Sequence, residues 1–230
     1  MKVPLHILQW NATSVVNKHQ ELEAFLLINR INIAALSETW FRPGVNYKFR
    51  GFNISREVRT DEKSGVVLLV KDSLSYNVIN NLYRINDLLQ VRIQLMFHNR
   101  TQLSIISLYN SPTNRVSAHD WKNFFNDIPK PAIVLGDFNF HHTVEMSNWT
   151  DVKGRNLLAA TNETNFIFLN DGTPTYVNKR NSRNVSAIDV TFVSRDIAHL
   201  FDWRVDPDPK GSNLPLIIKA NKSCTVYHLC

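Results

Sequence analysis

Short apolar runs separated by polar punctuation dominate this chain, and most have the length and the Val, Ile and Leu content of strands. Leu5-His6-Ile7-Leu8-Gln9-Trp10 alternates and stops at Asn11, and Ile33-Ala34-Ala35-Leu36 is a buried run ending in Ser37-Glu38-Thr39-Trp40. Gly65 to Lys71, Leu88 to Leu95 and Gln102 to Tyr109 read as further strands, as does Ala132-Ile133-Val134-Leu135 between Pro131 and Gly136. Phe166 to Leu169, Ala187 to Val193 and Leu214 to Ala220 follow. Helical signals are fewer. Asn17 is positioned to cap a helix with Gln20 at the capping-box position and Leu22, Phe25 and Leu26 on its apolar face. Ser117-Ala118-His119-Asp120 opens a second helix through Phe124 and Phe125, and Arg155 to about Glu163 forms a third. Many strands with few helices predict a two-sheet core with helices outside.

The polar residues at the ends of these strands are the informative ones. Gly136-Asp137-Phe138-Asn139-Phe140-His141-His142 follows a buried strand and brings two short polar side chains to a sheet edge. Gly, Asp and Asn also make ordinary turns. Trp10-Asn11 and Ser37-Glu38 end their strands in the same way, Ile105 to Asn110 ends in Tyr109, and Ser186-Ala187-Ile188-Asp189 enters its strand with an Asp. Carboxylates, amides and a phenol with no Cys or His pair describe a site for a hard cation such as magnesium. Such a donor set suits phosphoryl or phosphodiester chemistry, in which charge develops on non-bridging oxygens.

Composition narrows the class. The 230 residues, 43% hydrophobic and 20% charged, with only 7 Gly and no low-complexity stretch, are expected to form a single domain spanning 1–230. The first residues lack the apolar core of a signal peptide and no run reaches membrane-spanning length, so an intracellular chain with no membrane partner is expected. Cys224 and Cys230 read as free thiols, and the Asn-X-Ser/Thr sequons, Asn11-Ala12-Thr13 among them, as accidents of an Asn-rich sequence. The net charge of +6 favours a polyanionic partner. It is concentrated in Arg42, Lys48, Arg50, Arg56 and Arg59, and in Lys179, Arg180 and Arg183.

Leu8-Gln9-Trp10-Asn11, Ser37-Glu38-Thr39-Trp40, Gly65-Val66-Val67, Ser107-Leu108-Tyr109, Gly136-Asp137-Phe138-Asn139 and Ser186-Ala187-Ile188-Asp189 occur in this order. With these motifs the chain resembles the exonuclease–endonuclease–phosphatase superfamily, and within it the apurinic-endonuclease-like domain of non-LTR retrotransposons, which nicks target DNA. The resemblance runs from Leu8 to about Ile218 and implies a deoxyribonuclease-I-like α/β fold, a four-layer αββα sandwich of two mixed sheets flanked by helices. It implies Glu38 as the main ligand of Mg2+, or of Mn2+ in its place, with Asn11 nearby. Asp137 would activate the attacking water, Asn139 would hold the scissile phosphate, Tyr109 would bond a phosphate oxygen, and Asp189 would orient a C-terminal histidine. His142 is given a supporting role. The stretch from Val177 to Ser186 falls where a hairpin reaches into DNA, with Lys179, Arg180, Arg183 and Ser186 as contacts. DNA is the implied partner, a reverse transcriptase in the same polyprotein is a further one, and the implied location is nuclear.

The resemblance breaks near the end. The family pattern Ser-Asp-His, then apolar-Pro-apolar, reads here Gly211-Ser212-Asn213-Leu214-Pro215-Leu216, one position short and without Asp or His. The expected consequence is an impaired endonuclease. The alternatives are an inactive DNA-binding remnant or a related phosphatase, and rescue by His199 or His228 would need an unusual path.

Overall fold

Alternation of side chains along the strands sorts the apolar residues into three packed layers. The computed structural model describes residues 4–58, 64–97, 101–140, 150–178, 185–206 and 212–221. In chain order the strands are β1 (His6–Asn11), β2 (Ile33–Ser37), β3 (Phe52–Glu57), β4 (Val66–Lys71), β5 (Tyr76–Val78), β6 (Leu88–Met96), β7 (Gln102–Asn110) and β8 (Ala132–Asp137). They continue as β9 (Phe166–Phe168), β10 (Tyr176–Val177), β11 (Val185–Ser186), β12 (Asp189–Ser194), β13 (Phe201–Val205) and β14 (Leu216–Ala220). Helices α1 (His19–Ile28), α2 (Ala118–Asn126) and α3 (Val152–Asn162) lie between them.

One six-stranded sheet runs β13-β14-β1-β2-β4-β3, the other β5-β6-β7-β8-β12-β9, and β10 and β11 form a separate two-stranded ribbon. Leu5, Ile7, Ala35, Leu68, Ile105, Leu135 and Val193 pack between the two large sheets. Their neighbours in sequence point outward. Leu8, Leu36 and Leu69 meet Leu22 and Leu26 of α1, and Ile106, Val134 and Phe192 meet Trp121, Phe124 and Leu157 of α2 and α3. Both sheets mix parallel and antiparallel pairs. This is the expected four-layer αββα order.

Three details differ from the sequence reading. Asn17 does not cap α1: Lys18 is the N-cap residue and makes no side-chain cap bond. The entry to α1 is set by backbone bonds from Ser14 to Glu38 and from Val15 to Thr39, which fix the preceding loop. Helix α3 starts earlier than Arg155, because the Asp151 carboxylate accepts the Gly154 N–H at 2.6 Å. Strands β3, β5 and β13 were not anticipated. All three are sheet edges, where partly solvated faces carry polar residues and the apolar pattern fades.

Gly136 precedes Asp137 because the neighbouring β7 backbone at Leu108 lies too close for a side chain. A Cβ there would meet the Leu108 carbonyl oxygen at 2.0 Å. Gly136→Ala is therefore expected to cost about 3 kcal/mol or more of unfolding free energy, read by urea denaturation, as overpacking against rigid backbone does.

Candidate active site

The parity that builds the core also builds the site. Asn11, Tyr109, Asp137 and Asp189 share strand faces with Ile7, Ile105, Leu135 and Val193, so all four point into the seam between the sheets, at its one polar end. Register brings them together: Asp137 sits opposite Asp189 on β12 and beside Tyr109 on β7, while Asn11 lies beside Ser37, the residue before Glu38. Just below, Gln9 crosses the seam. Its amide donates to the carbonyls of Gly136 and Val190 at 3.0 and 3.2 Å and accepts from the Thr191 hydroxyl at 2.7 Å.

Short bonds fix the orientation of each group. Asn11 Nδ2 donates to Asp137 Oδ2 at 2.9 Å, and the Asn139 backbone N–H donates to Asp137 Oδ1 at 2.9 Å. The Asn11 side-chain oxygen accepts from the Thr13 N–H and hydroxyl at 3.2 and 3.3 Å. Asn139 in turn donates its side-chain amide to the Asn110 carbonyl at 2.9 Å. Glu38 and Asn139 both have left-handed backbone, with φ of 50° and 48°. Non-glycine residues keep that conformation only where the surroundings force it, which is common at functional sites.

Asp137 and Asp189 are each 1% exposed. Burial raises the Asp137 pKa to about 7, and the negative charge of Glu38 pushes it the same way, against the bonds from Asn11 and Asn139 and the charge of Lys153. Burial, and then the charge of Asp137, push Asp189 well above the usual carboxylate range. The Thr175 hydroxyl accepts the Asp189 N–H at 3.2 Å and favours the ionised form, but neither Asp189 oxygen has a partner of hydrogen-bonding geometry. Among the described residues no three His, Cys, Asp or Glu side chains gather into a metal cage. Magnesium does not require one, because it binds through one or two carboxylates plus water and substrate oxygens. Asp189, buried with both oxygens unpartnered, the buried Asp137 beside it, and Glu38 at the half-buried rim are a donor set that fits a hard dication.

The model of a family described as endonuclease-reverse transcriptase matches residues 103–217. The chain belongs to the endonuclease–reverse transcriptase family. It is 24% identical over 229 residues to the probable RNA-directed DNA polymerase from transposon BS of Drosophila melanogaster, covering 96% of this chain but 25% of that protein. The chain thus spans a quarter of the length of that relative. The fold is similar to the endonuclease domain of TRAS1, a telomere-specific non-LTR retrotransposon, with a TM-score of 0.79 and 23% identity over 95% of this chain and 99% of the other. It is also similar to an AP endonuclease from Archaeoglobus fulgidus, with a TM-score of 0.69 and 15% identity over 94% and 99%. The family match places the chain in the exonuclease–endonuclease–phosphatase superfamily, and the structural likenesses show the deoxyribonuclease-I-like fold.

This endonuclease–reverse transcriptase-family domain brings Asn11, Glu38, Tyr109, Asp137, Asn139 and Asp189 to one end of the sandwich. Ser186 is buried in the β10–β11 ribbon and is tied to Asp189 through Thr175, whose N–H donates to the Ser186 carbonyl at 3.0 Å and whose hydroxyl accepts the Asp189 N–H. His142, Lys179, Arg180, Arg183, Arg59, His228, Cys224 and Cys230 lie outside the described residues. Asn213 does reach the site: its amide donates to Thr13 Oγ1 at 2.9 Å, and its carbonyl accepts from the Trp10 indole at 3.2 Å. His199 belongs to a 3-10 helix (Arg195–Leu200) that begins where β12 ends, at the end of that strand opposite Asp189. The sequence reading gave no role to Thr13, Asn110, Lys153 or Thr191. Thr191 had a signal, a polar residue between Val190 and Phe192 in a buried run; Lys153 had none.

The raised acid pKa values set a pH dependence. The folded state binds more protons than the unfolded one between the ordinary Asp value near 4 and the folded value of about 7 for Asp137, so stability falls as pH rises through that window. Unfolding free energies measured at pH 5 and pH 8 should be lower at pH 8. Asp189→Asn, which removes an unpartnered charge and its repulsion on Asp137, should shrink that difference and raise stability at pH 8.

Proposed function

We propose that this domain is a Mg2+-dependent phosphodiesterase that nicks DNA for retrotransposition, with Mn2+ able to substitute, and that its turnover is impaired by the change in its last motif. The observation that carries the reading is the convergence of Glu38, Asp137 and Asp189 with Asn11, Tyr109 and Asn139 at the polar end of the seam. Glu38 would hold the cation at the rim, with Asn11 beside it. When bound, the cation would offset charge developing on the non-bridging phosphate oxygens. Asp137, whose pKa is raised by burial and by the charge of Glu38, would take a proton from an attacking water. Asn11 and the Asn139 N–H hold one Asp137 oxygen each, which fixes the carboxylate plane. Asn139 and Tyr109 flank it to receive the phosphate oxygens. Lys179, Arg180 and Arg183, with Ser186 at the base of the ribbon, would meet DNA phosphates, and His142 would support the Asp137 turn. The domain would act beside a reverse transcriptase in one polyprotein, in the nucleus.

Asp189 has lost the partner that the resemblance implies for it. Asn213 stands at the corresponding place, bonded to Thr13, and an amide cannot shuttle a proton. This observation supports the second reading, an inactive remnant that still binds DNA; a related phosphatase is separated from both by phosphate release from nucleotide or inositol substrates.

Supercoiled-plasmid nicking with Mg2+ tests the first reading. Glu38→Ala and Asp137→Ala should each slow nicking by about 100-fold or more, in the range of lost electrostatic and acid–base contributions. If the parent nicks and neither change slows it, the assignment is wrong. Replacing Asn213 by Asp-His should raise the rate by about 10²–10⁴-fold, the contribution of a positioned acid–base group; no gain would favour the remnant. Replacing Lys179, Arg180 and Arg183 with Ala should flatten the salt dependence of DNA binding by about one unit of slope per lost phosphate contact. An unchanged slope would remove the ribbon from the DNA interface.

A further inference from the structure

Lys153 stands where local rules disfavour a lysine. It is the second residue of α3, where the helix dipole opposes a cation. It is partly buried, and burial is the largest influence on its ammonium group, lowering its pKa. Among the described residues no carboxylate pairs with it: Asp151, the nearest acid in sequence, turns its side chain to the Gly154 N–H to cap the helix. Its ammonium instead donates to three backbone carbonyls, those of Ser111 at 3.4 Å, Pro112 at short range and Asn139 at 3.4 Å. Those carbonyls belong to two different loops. One leaves β7 directly after Tyr109 and Asn110; the other is the turn that follows Asp137.

Three anchors therefore meet on Asn139. Its N–H is held by Asp137, its side-chain amide by the Asn110 carbonyl, and its own carbonyl by Lys153. The left-handed backbone of Asn139 needs such over-determination. Asn110 adds a return bond from its amide to the Phe138 carbonyl at 3.0 Å, so the two loops are joined side by side with Lys153 across their outer edge. The cleft next to them, about 450 Å³ between Pro112, Arg115, Asp151 and Asn156, opens along this edge.

We propose that Lys153 is a positioning residue that clamps the loop after Tyr109 to the Asn139 turn, and so sets the spacing between the groups that receive the scissile phosphate and the Asp137 carboxylate. The role rests on the phosphodiesterase reading for its catalytic consequence, but the clamp itself does not. The ammonium touches neither substrate nor reacting atoms; it acts through Asn139 and Tyr109. Loss of the clamp shifts reacting groups while leaving the DNA-binding surface in place, which lowers kcat far more than it raises KM.

The test compares the parent with Lys153→Met, which keeps the length of the chain and removes the donors, and Lys153→Arg, which restores charge and donors. Thermal unfolding of each protein reports folding. In plasmid nicking, Lys153→Met should lower kcat by about 10–100-fold, the scale of an ångström-sized misplacement, with KM within about threefold of the parent. Lys153→Arg should recover most of the loss. A kcat unchanged in Lys153→Met, a loss confined to KM, or no recovery in Lys153→Arg would overturn the proposal. A second readout does not depend on turnover. In 1H–15N spectra the backbone and side-chain amides of Asn139 should shift in Lys153→Met and return in Lys153→Arg. Unmoved Asn139 signals in a folded Lys153→Met protein would refute the clamp. If the parent fails to nick while these signals move as expected, the phosphodiesterase reading fails and the clamp stands.

Discussion

Gln9 is a buried polar side chain between the two sheets, and the geometry of the site depends on it. It leaves β1 of one sheet and bonds Gly136, Val190 and Thr191 on β8 and β12 of the other. Apolar packing between sheets is non-directional and leaves their relative sliding weakly determined. Three hydrogen bonds of fixed length across the seam, each made in a low-dielectric setting where leaving it unmade is costly, hold one register. That register places Asn11, two residues beyond Gln9, at bonding distance from Asp137, one residue beyond Gly136. The alignment of the two sheets and the contact between the first two site residues are thus one constraint expressed at adjacent positions.

Above that bond the polar end of the seam gathers negative charge in a place that disfavours it. Asp137 and Asp189 face one another across a β8–β12 pair, and like charges directly opposite are destabilising even at a surface. Here they are buried, and Glu38 adds a further negative charge. Packing and backbone bonds elsewhere have to offset this cost. The close approach of β7 to Gly136, the backbone ties between the loops after Asn11 and Ser37, and the left-handed turns at Glu38 and Asn139 all serve the same arrangement. A site that stores repulsion in this way is ready for a counter-charge, be it a cation, a proton or both.

Much of this was legible in the sequence, for a definite reason. A polar residue that ends a buried apolar run must be bonded or used, so Asn11, Glu38, Tyr109, Asp137 and Asp189 stood out one by one, and the core strands that carry them were equally plain. Edge strands β3, β5 and β13 were not, because one face of each is partly solvated and the apolar pattern is diluted. The α1 cap was misread at Asn17 because long-range backbone bonds, not a local side chain, fix that turn. Lys153 was invisible on principle. Its partners are main-chain carbonyls, which every residue possesses, and no choice of side chain at 111, 112 or 139 announces that a lysine will arrive there.

The bonds that build the site and the groups that would run its chemistry are largely separate sets. Gln9, Thr191, Asn110 and Lys153 position strands and loops without needing the last motif of the chain. Among the described bonds two links run from that motif to the acids: from Asn213 through Thr13 to Asn11, and from the Leu214 N–H through Thr175 to the Asp189 N–H. Asn213 makes the first of these links as a donor, while the oxygens of Asp189 have no hydrogen-bond partner. The described scaffold that gathers Asn11, Asp137 and Asp189 therefore stands without an Asp-His pair at this position. The bonds of Gln9, Asn110, Thr191 and Lys153 that preserve the architecture do not pass through position 213, so the arrangement of the acids is compatible with more than one residue there.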